Sequence, residues 1–411
     1  MFRARHIHCA AVTAIILAVA APAKALDFDV SGYGDFRAVL QPAMTGWLQG
    51  GLGKFRYGGS NSNLHAQGLA QGVLHLSDDF SAITVIRADQ EEVGGIDVLE
   101  SYAAWHSISD DGLGWSVKAG AFFPTISLEN DDLGWNSPYT LTSSAINSWI
   151  GEELRTIGSE GTLRWRTAEA GTFSLMGAVD CCNDPAGILM ADRGWAMNDR
   201  PTGLFERVRL PDATLKLFHL PSPRRTGMFE EIDHRVGFYG GLSWQMPDIG
   251  KINIVRYENH GNPAAITVND TAWDTKFWSF GARTQVGRLV LIAQQLSGYT
   301  AVVSRGAETA TKFQAGFLLA SYDLGGIGLE DWRGSLRGDL FQTRRLGVIT
   351  SPMNEDGRAG TVSLSWQGFD WLRITGEALL MHSRRGQYAT VGVPSGELDQ
   401  NQLQLDARLF F

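Results

Sequence analysis

Cysteine is scarce in this chain, with three residues in 411. Cys9 falls in the apolar N-terminal stretch, and the other two, Cys181 and Cys182, are adjacent. Neither a disulfide framework nor a spaced set of metal ligands can be drawn from them, and no metal is expected. The adjacent pair could form a strained vicinal disulfide or share in a metal site; the expectation is instead a loop staple or two free thiols. Long apolar runs are missing too. After residue 25 no stretch approaches the ~20 residues that a membrane helix requires, and the mean hydropathy is −0.10. Basic charge is in deficit, 35 Lys and Arg against 44 Asp and Glu, which argues against a nucleic-acid partner, whose phosphates demand the opposite balance.

Catalytic signatures are lacking as well. The nine His are scattered, and two of them, His6 and His8, lie at the N-terminus. No Gly-x-Ser-x-Gly or His-Glu-x-x-His occurs, and Gly50-Gly51-Leu52-Gly53-Lys54-Phe55 has neither the spacing nor the Ser or Thr of a phosphate-cradling loop. No catalytic residue and no cofactor is expected.

The N-terminus is what a secretory signal peptide requires: Arg3 and Arg5 without an acid, an apolar run from Cys9 to Ala23, then Ala23-Lys24-Ala25. The run is 15 residues long, short of a spanning helix. Residues 1–25 are therefore expected to be cleaved, leaving 26–411 as one exported unit. The leader holds three basic residues and no acid, so the mature chain carries 32 Lys and Arg against 44 acids, a formal charge of −12. Without a second apolar helix, such a chain can span a membrane only as a closed barrel.

Alternation is what the sequence has in abundance. Phe28, Val30, Gly32, Gly34, Phe36, Ala38 and Leu40 occupy even positions, while Asp27, Asp29, Ser31, Tyr33, Asp35 and Arg37 occupy odd ones. At the other end Leu403, Leu405, Ala407, Leu409 and Phe411 alternate with Gln402, Gln404, Asp406 and Arg408. Strand segments of the same period are predicted near 62–76, 80–90, 97–107, 113–124, 154–166, 171–180, 234–245 and 250–259. Others follow near 274–285, 288–299, 310–323, 333–345, 359–367 and 371–383, making sixteen with the two ends. Short turns such as Val286-Gly287 alternate with long connections such as Gln41 to Asn61, Thr125 to Glu153 and Cys181 to Asp233. Outer-membrane barrels combine short periplasmic turns with longer outer loops. The fold class expected is thus all-β, a transmembrane antiparallel β-barrel of about 16 strands. Several of the thirteen Trp residues, Trp105, Trp115, Trp165, Trp244, Trp278 and Trp366, fall on the lipid-facing register, as interfacial girdles would.

A barrel this wide leaves an aqueous channel unless something fills it. The strand phases put Asp35, Arg37, Arg87, Asp89, Arg337, Asp339, Arg373, Glu377, Asp406 and Arg408 on the inward face as pore-lining residues. Arg337-Gly338-Asp339 spells an adhesion tripeptide, but its charges point into the lumen. The long connection Thr125 to Glu153 carries Glu129, Asp131 and Asp132, then a stretch from Ser143 to Ile150 able to form one or two helical turns, then Glu152 and Glu153.

Here the chain resembles the porin superfamily, whose members are sixteen-stranded, commonly trimeric channels with a third outer loop folded inward as a constriction. Gly120-Ala121-Phe122-Phe123-Pro124-Thr125-Ile126-Ser127-Leu128-Glu129 is similar to the Gly-x-Phe-x-Pro-x-x-Ser-Leu-Glu stretch of phosphate-selective-type porins, and Glu100-Ser101-Tyr102-Ala103-Ala104-Trp105 to their preceding strand. A phosphate-selective channel presents a stack of Arg and Lys, whereas this loop is dominated by acids. The resemblance implies a constriction in which Glu129, Asp131, Asp132, Glu152 and Glu153 face Lys118, Arg164 and Arg166. Acidic rings favour cations. Phe411 resembles the C-terminal residue read by the barrel-insertion machinery. The function expected is an outer-membrane porin, a water-filled channel for small hydrophilic solutes, surrounded by outer-membrane lipids and able to form a homotrimer. A structural or adhesive barrel acting through its surface loops, and an outer-membrane hydrolase, are the rivals.

Overall fold

From Asp27 onward the side chains alternate and the backbone is extended, as period-two patterning dictates. In the computed structural model the described residues are 27–59, 63–91, 95–107, 112–182, 184–217, 224–265, 272–304, 307–347 and 351–411; the expected leader lies outside them. The first strands are β1 (Asp27–Leu40), β2 (Leu64–His75), β3 (Phe80–Asp89), β4 (Ile96–His106), β5 (Leu113–Phe122), β6 (Thr156–Thr167) and β7 (Gly171–Cys181). A two-stranded interruption of the barrel order follows, the ribbon β8 (Arg207–Arg209) and β9 (Arg225–Gly227). Then come β10 (Val236–Met246), β11 (Gly250–Glu258), β12 (Trp273–Val286), β13 (Leu289–Ser304) and β14 (Ala307–Asp323). The last are β15 (Trp332–Leu346), β16 (Glu355–Phe369), β17 (Leu372–Arg385) and β18 (Glu397–Phe410).

All except β8 and β9 close into one antiparallel barrel of sixteen strands, each paired with its neighbour in sequence and β7 pairing with β10 across the ribbon. The seam joins β1 to β18 with Asp35 opposite Arg408 and Arg37 opposite Asp406, opposite charges facing each other on the inner surface. Beyond the last paired strand residue, Gly32 and Phe411 exchange backbone hydrogen bonds of 3.1 and 3.0 Å. Gly32 is required there, because a Cβ would come within 2.4 Å of both the Leu69 carbonyl oxygen and the Phe411 ring.

The outer face is apolar and exposed, with Phe36 at 56%, Leu340 at 68% and Leu405 at 58%. Trp105 and Trp115 lie with ring centroids 4.0 Å apart near the turn end, and Trp244 donates through Nε1 to the Ala170 carbonyl at 2.7 Å. This is the two-faced surface a lipid-embedded barrel needs.

Two predicted connections are shorter than expected. β13 runs to Ser304 and β14 begins at Ala307, so the segment Thr300 to Thr309 is mostly strand, and β16 starts at Glu355. The extension of β13 and β14 has a physical reason: helix α1 (Pro185–Asp192) packs against β12, β13 and β14, so Val302 and Thr309 are covered from inside. Gly187 permits this approach, since a Cβ would meet Thr275 Oγ1 at 2.1 Å.

The interior departs most from the expectation of a water-filled lumen. Trp47 and Phe55 of the first long loop, Trp149 and Ile150 of the third, and Leu189 and Trp195 of the fourth form one apolar cluster with wall residues including Phe277, Phe313 and Phe317. Each fully buried large side chain contributes roughly 1.5–3 kcal/mol. The loop side of the barrel is therefore packed like a domain core, because β12 to β14 present apolar side chains inward where the other walls present charge.

Candidate functional site

The loop between β5 and β6, Thr125 to Glu153, arches across the lumen, with a helical turn at Asn147–Gly151. Its clamps are side chains of the wall. Arg337 donates to the Thr142 carbonyl at 2.7 Å and the Ser143 carbonyl at 3.0 Å, and Asp339 accepts the Ala145 N–H at 3.0 Å. Glu377 accepts the N–H groups of Leu141 at 2.6 Å and Thr142 at 3.1 Å. On other walls Asn136 donates to the Tyr33 hydroxyl at 2.8 Å, and Gln294 donates to the Ile126 carbonyl at 3.2 Å. The two charges of Arg337-Gly338-Asp339 are thus buried as loop-holding machinery, with Arg337 and Asp339 at 3% and 2% exposure.

The acids of the arch do not face Lys118, Arg164 and Arg166 as the resemblance implied. Glu129 is buried, accepts from Ser144 N–H and Asn147, and lies 3.5 Å from Arg337. Asp131 pairs with Arg283, and Asp132 lies 3.4 Å from Arg373. Because the loop crosses to the wall formed by β12, β15 and β17, its acids meet the arginines there. Glu152 accepts from the Ser143 hydroxyl at 2.8 Å, and burial holds its carboxyl well above the ordinary range. Burial likewise pushes Glu153 up to about 7. Beside them Arg155, lowered to about 9 by burial, donates to the carbonyls of Leu99 at 3.2 Å and Thr202 at 3.1 Å and stacks on the Phe123 ring.

Of the remaining pore-lining candidates, Asp35, Arg37, Asp406 and Arg408 form one buried cluster, with Arg37 to Asp35 at 2.9 Å and Arg408 to Asp35 at 3.0 Å. Arg87 and Asp89 form a second beside it, 4.0 Å apart. These charges line packed loops rather than open water, because residues 184–203 of the fourth long connection are buried inside the barrel. Asp199 pairs with Arg37 and lies 3.6 Å from Arg56, while Arg200 bonds Asp89 and Glu206, both at 2.9 Å. Arg87 donates to the Pro201 carbonyl. On the opposite wall Glu355 accepts the Trp195 N–H at 3.0 Å and pairs with Lys54 of the first loop, and Arg385 donates to the Asp192 carbonyl at 3.1 Å. The sequence reading left open whether this connection covers the pore mouth or fills it. Its apolar stretches, Ile188-Leu189-Met190 and Trp195-Ala196-Met197, were the available signal, because such residues in a loop must find cover.

Cys181 and Cys182 are joined to each other, rather than free or stapled elsewhere, with Cys182 at a positive φ of 77° where β7 turns toward α1. Asn183 between them and α1 lies outside the described residues. Among the described residues no group of three His, Cys, Asp or Glu side chains could hold a metal.

Beneath the arch the lumen is open. On the turn side of the arch a cavity of about 560 Å³ is walled by β4 to β7, β10 and β11, from Thr125 and Asn253 at the foot of the loop down to His106 and Gln245 beside the turns. Lys118 and Arg164 line it, with Lys118 tied to Glu160 at 3.2 Å. Arg166 is exposed at the end of β6, its backbone bonded to Gly112.

No family model matches this sequence, and no curated protein matches it. Solved structures do. OmpF of Salmonella typhi, in complex with daunomycin, is 11% identical, with a TM-score of 0.54 over 93% of this chain and 97% of that one. The outer-membrane channel DcaP of Acinetobacter baumannii is 11% identical, with 0.53 over 94% and 97%. The anion-selective porin from Comamonas acidovorans is 12% identical, with 0.53 over 94% and 100%. A trimer form of OmpT, an outer membrane protein of Vibrio cholerae, is 8% identical, with 0.51 over 94% and 100%. At these identities the likeness is one of fold alone: a closed antiparallel barrel of the kind those outer-membrane proteins have.

Proposed function

We propose that the chain is an outer-membrane channel of the porin class for small hydrophilic solutes, with the turn side facing the periplasm and its loop side closed here by the third and fourth long loops. The observation that carries this reading is the open vestibule beneath the arch, lined by hydroxyl, amide and charged groups and ending at loops that polar clamps hold to the wall beside the apolar cluster. Polar clamps are suited to a segment that moves, because water can replace them when the segment leaves. The reading includes removal of residues 1–25, insertion through the C-terminal strand ending at Phe411, a belt of outer-membrane lipid and assembly as a homotrimer. It assigns no catalytic step.

Planar-bilayer recordings test it. Wild type should give small ohmic steps, and a variant in which residues 185–203 are replaced by a short Gly-Ser linker should give steps several-fold larger. The packed loop side favours one other reading, a structural barrel acting through its surface loops. Absence of steps in both proteins would establish that alternative and sink the channel.

A further inference from the structure

The charge that water meets in the vestibule is the reverse of the charge written in the arch. The acids of the third loop are either paired with arginines of the far wall or buried. Below the arch stand Lys118, Arg164 and Lys251 against one acid, Glu160. Glu160 is itself committed: it pairs with Lys118 at 3.2 Å and accepts from the Tyr239 hydroxyl at 2.5 Å. Arg164 and Lys251 make no hydrogen bond or ion pair among the described residues, although both are half-buried and line the same cavity. The acid whose charge reaches Lys251, Asp131, is itself paired with Arg283, so neither cation has an ion-pair partner of its own, and two cations in a confined space are disfavoured unless an anion joins them.

The remaining lining is specific in kind. Thr162, Ser174, Ser243 and Asn253 present neutral donors and acceptors around the two cations, and Met176 and Val255 supply a small apolar surface between them. Hydroxyl and amide groups beside a short apolar patch suit a ring that carries several hydroxyls on a carbon frame. The volume, about 560 Å³, lies in the usual small-molecule range of roughly 300–1,000 Å³. From this geometry we infer that the vestibule is a binding site for a phosphorylated monosaccharide-sized ligand, its dianionic group between Arg164 and Lys251 and its hydroxyls on the ring of Ser, Thr and Asn side chains. The guanidinium of Arg164 offers a planar fork for two phosphate oxygens and Lys251 a point charge for a third. With the loop side packed, the ligand enters from the turn side. The inference rests on the channel reading only for the identity of that side as periplasmic.

Calorimetric titration of the folded full-length protein in detergent tests the site, using glucose 6-phosphate, glucose and inorganic phosphate as probes. Expected are saturable binding of glucose 6-phosphate, none of glucose, and at least a tenfold loss in R164Q/K251Q. M176W, which fills the cavity without altering charge, should also abolish binding, and both variants must keep the heat-modifiable gel mobility of a folded barrel. No saturable binding by wild type, unchanged binding in both variants, or inorganic phosphate bound as tightly as the sugar phosphate would overturn the assignment. A protein that binds but never conducts removes the channel reading and leaves this site, whereas one that conducts without binding removes the site alone.

Discussion

The carboxylate of Glu377, on β17, accepts the backbone N–H of Leu141 at 2.6 Å and so ties the crest of the third loop to the barrel wall. The next N–H, that of Thr142, reaches the same carboxylate at 3.1 Å. Two donors on one buried anion make a stronger clamp than neutral bonds would, since bonds to charged groups contribute about 1.5–3 kcal/mol each. Glu377→Ala should release the crest while leaving the barrel closed. Hydrogen exchange at Leu141 and Thr142 reports it: protection there should fall at least tenfold, with protection of β16 to β18 unchanged. Equal protection in both proteins would mean that Arg337 alone holds the crest.

The root of the same loop is sensitive to pH, and its direction follows from burial. Glu153 is raised to about 7, first by desolvation and then by Glu206, against the opposing charges of Arg155 and Arg200. A carboxyl whose folded value lies above its unfolded one binds its proton more tightly when folded, so it favours the packed state at low pH and that advantage is lost as pH rises toward 7. The change amounts to at most about 3 kcal/mol for such a shift. Exchange of the amides of Asn198, Asp199, Arg200 and Thr202, corrected for intrinsic rates, should therefore be faster at pH 8 than at pH 5.5. In Glu153→Gln the difference should vanish. Because Glu152 and Glu153 are buried rather than facing solute, the Gln variants should leave ion preference unchanged. A shift in reversal potential would return these acids to the permeation path.

Strand positions were legible because alternation against lipid is enforced at every other residue. The predicted 80–90 and 171–180 fall on β3 and β7, and the sixteen-strand count holds. What the alternation could not reveal is what an inward charge faces. Arg37 was read as facing water, yet its partner Asp199 comes from a loop more than 150 residues away. Period-two patterning records which face a side chain takes and nothing about the segment that packs on it. The fourth loop escaped for the same reason: its apolar residues follow no period, and Ile188 or Trp195 shows its meaning only when the wall residues of β12 to β15 are placed beside it.

The charge pairs that seat the fourth loop should be worth more than surface pairs on the same loop. Asp199 is buried between Arg37 and Arg56, whereas Arg207 pairs with Glu230 with its side chain 55% exposed. Removing one member of a buried pair costs about 3–5 kcal/mol, while an exposed pair is worth about 0–1 kcal/mol. Asp199→Ala should thus expose residues 185–217 to limited proteolysis, and Arg207→Ala should not. Identical cleavage of the two variants would show that the apolar cluster around Trp195 seats the loop without help from charge.

Closure of the barrel should depend on the smallest side chain at the seam. Gly32 exchanges backbone bonds with Phe411, and a Cβ there would strike both the Leu69 carbonyl oxygen and the Phe411 ring at 2.4 Å. The ring can turn away, but the carbonyl belongs to the β1–β2 ladder and cannot yield without breaking the register Tyr33 to Leu69. Gly32→Leu should therefore lower the yield of heat-modifiable folded barrel on refolding. Removing Phe411 tests the other partner: it deletes the ring clash and two backbone bonds together. If the ring were the obstacle, the double variant would refold better than Gly32→Leu alone; if the backbone contact with Leu69 decides, it would refold no better, which is the outcome expected from a rigid ladder.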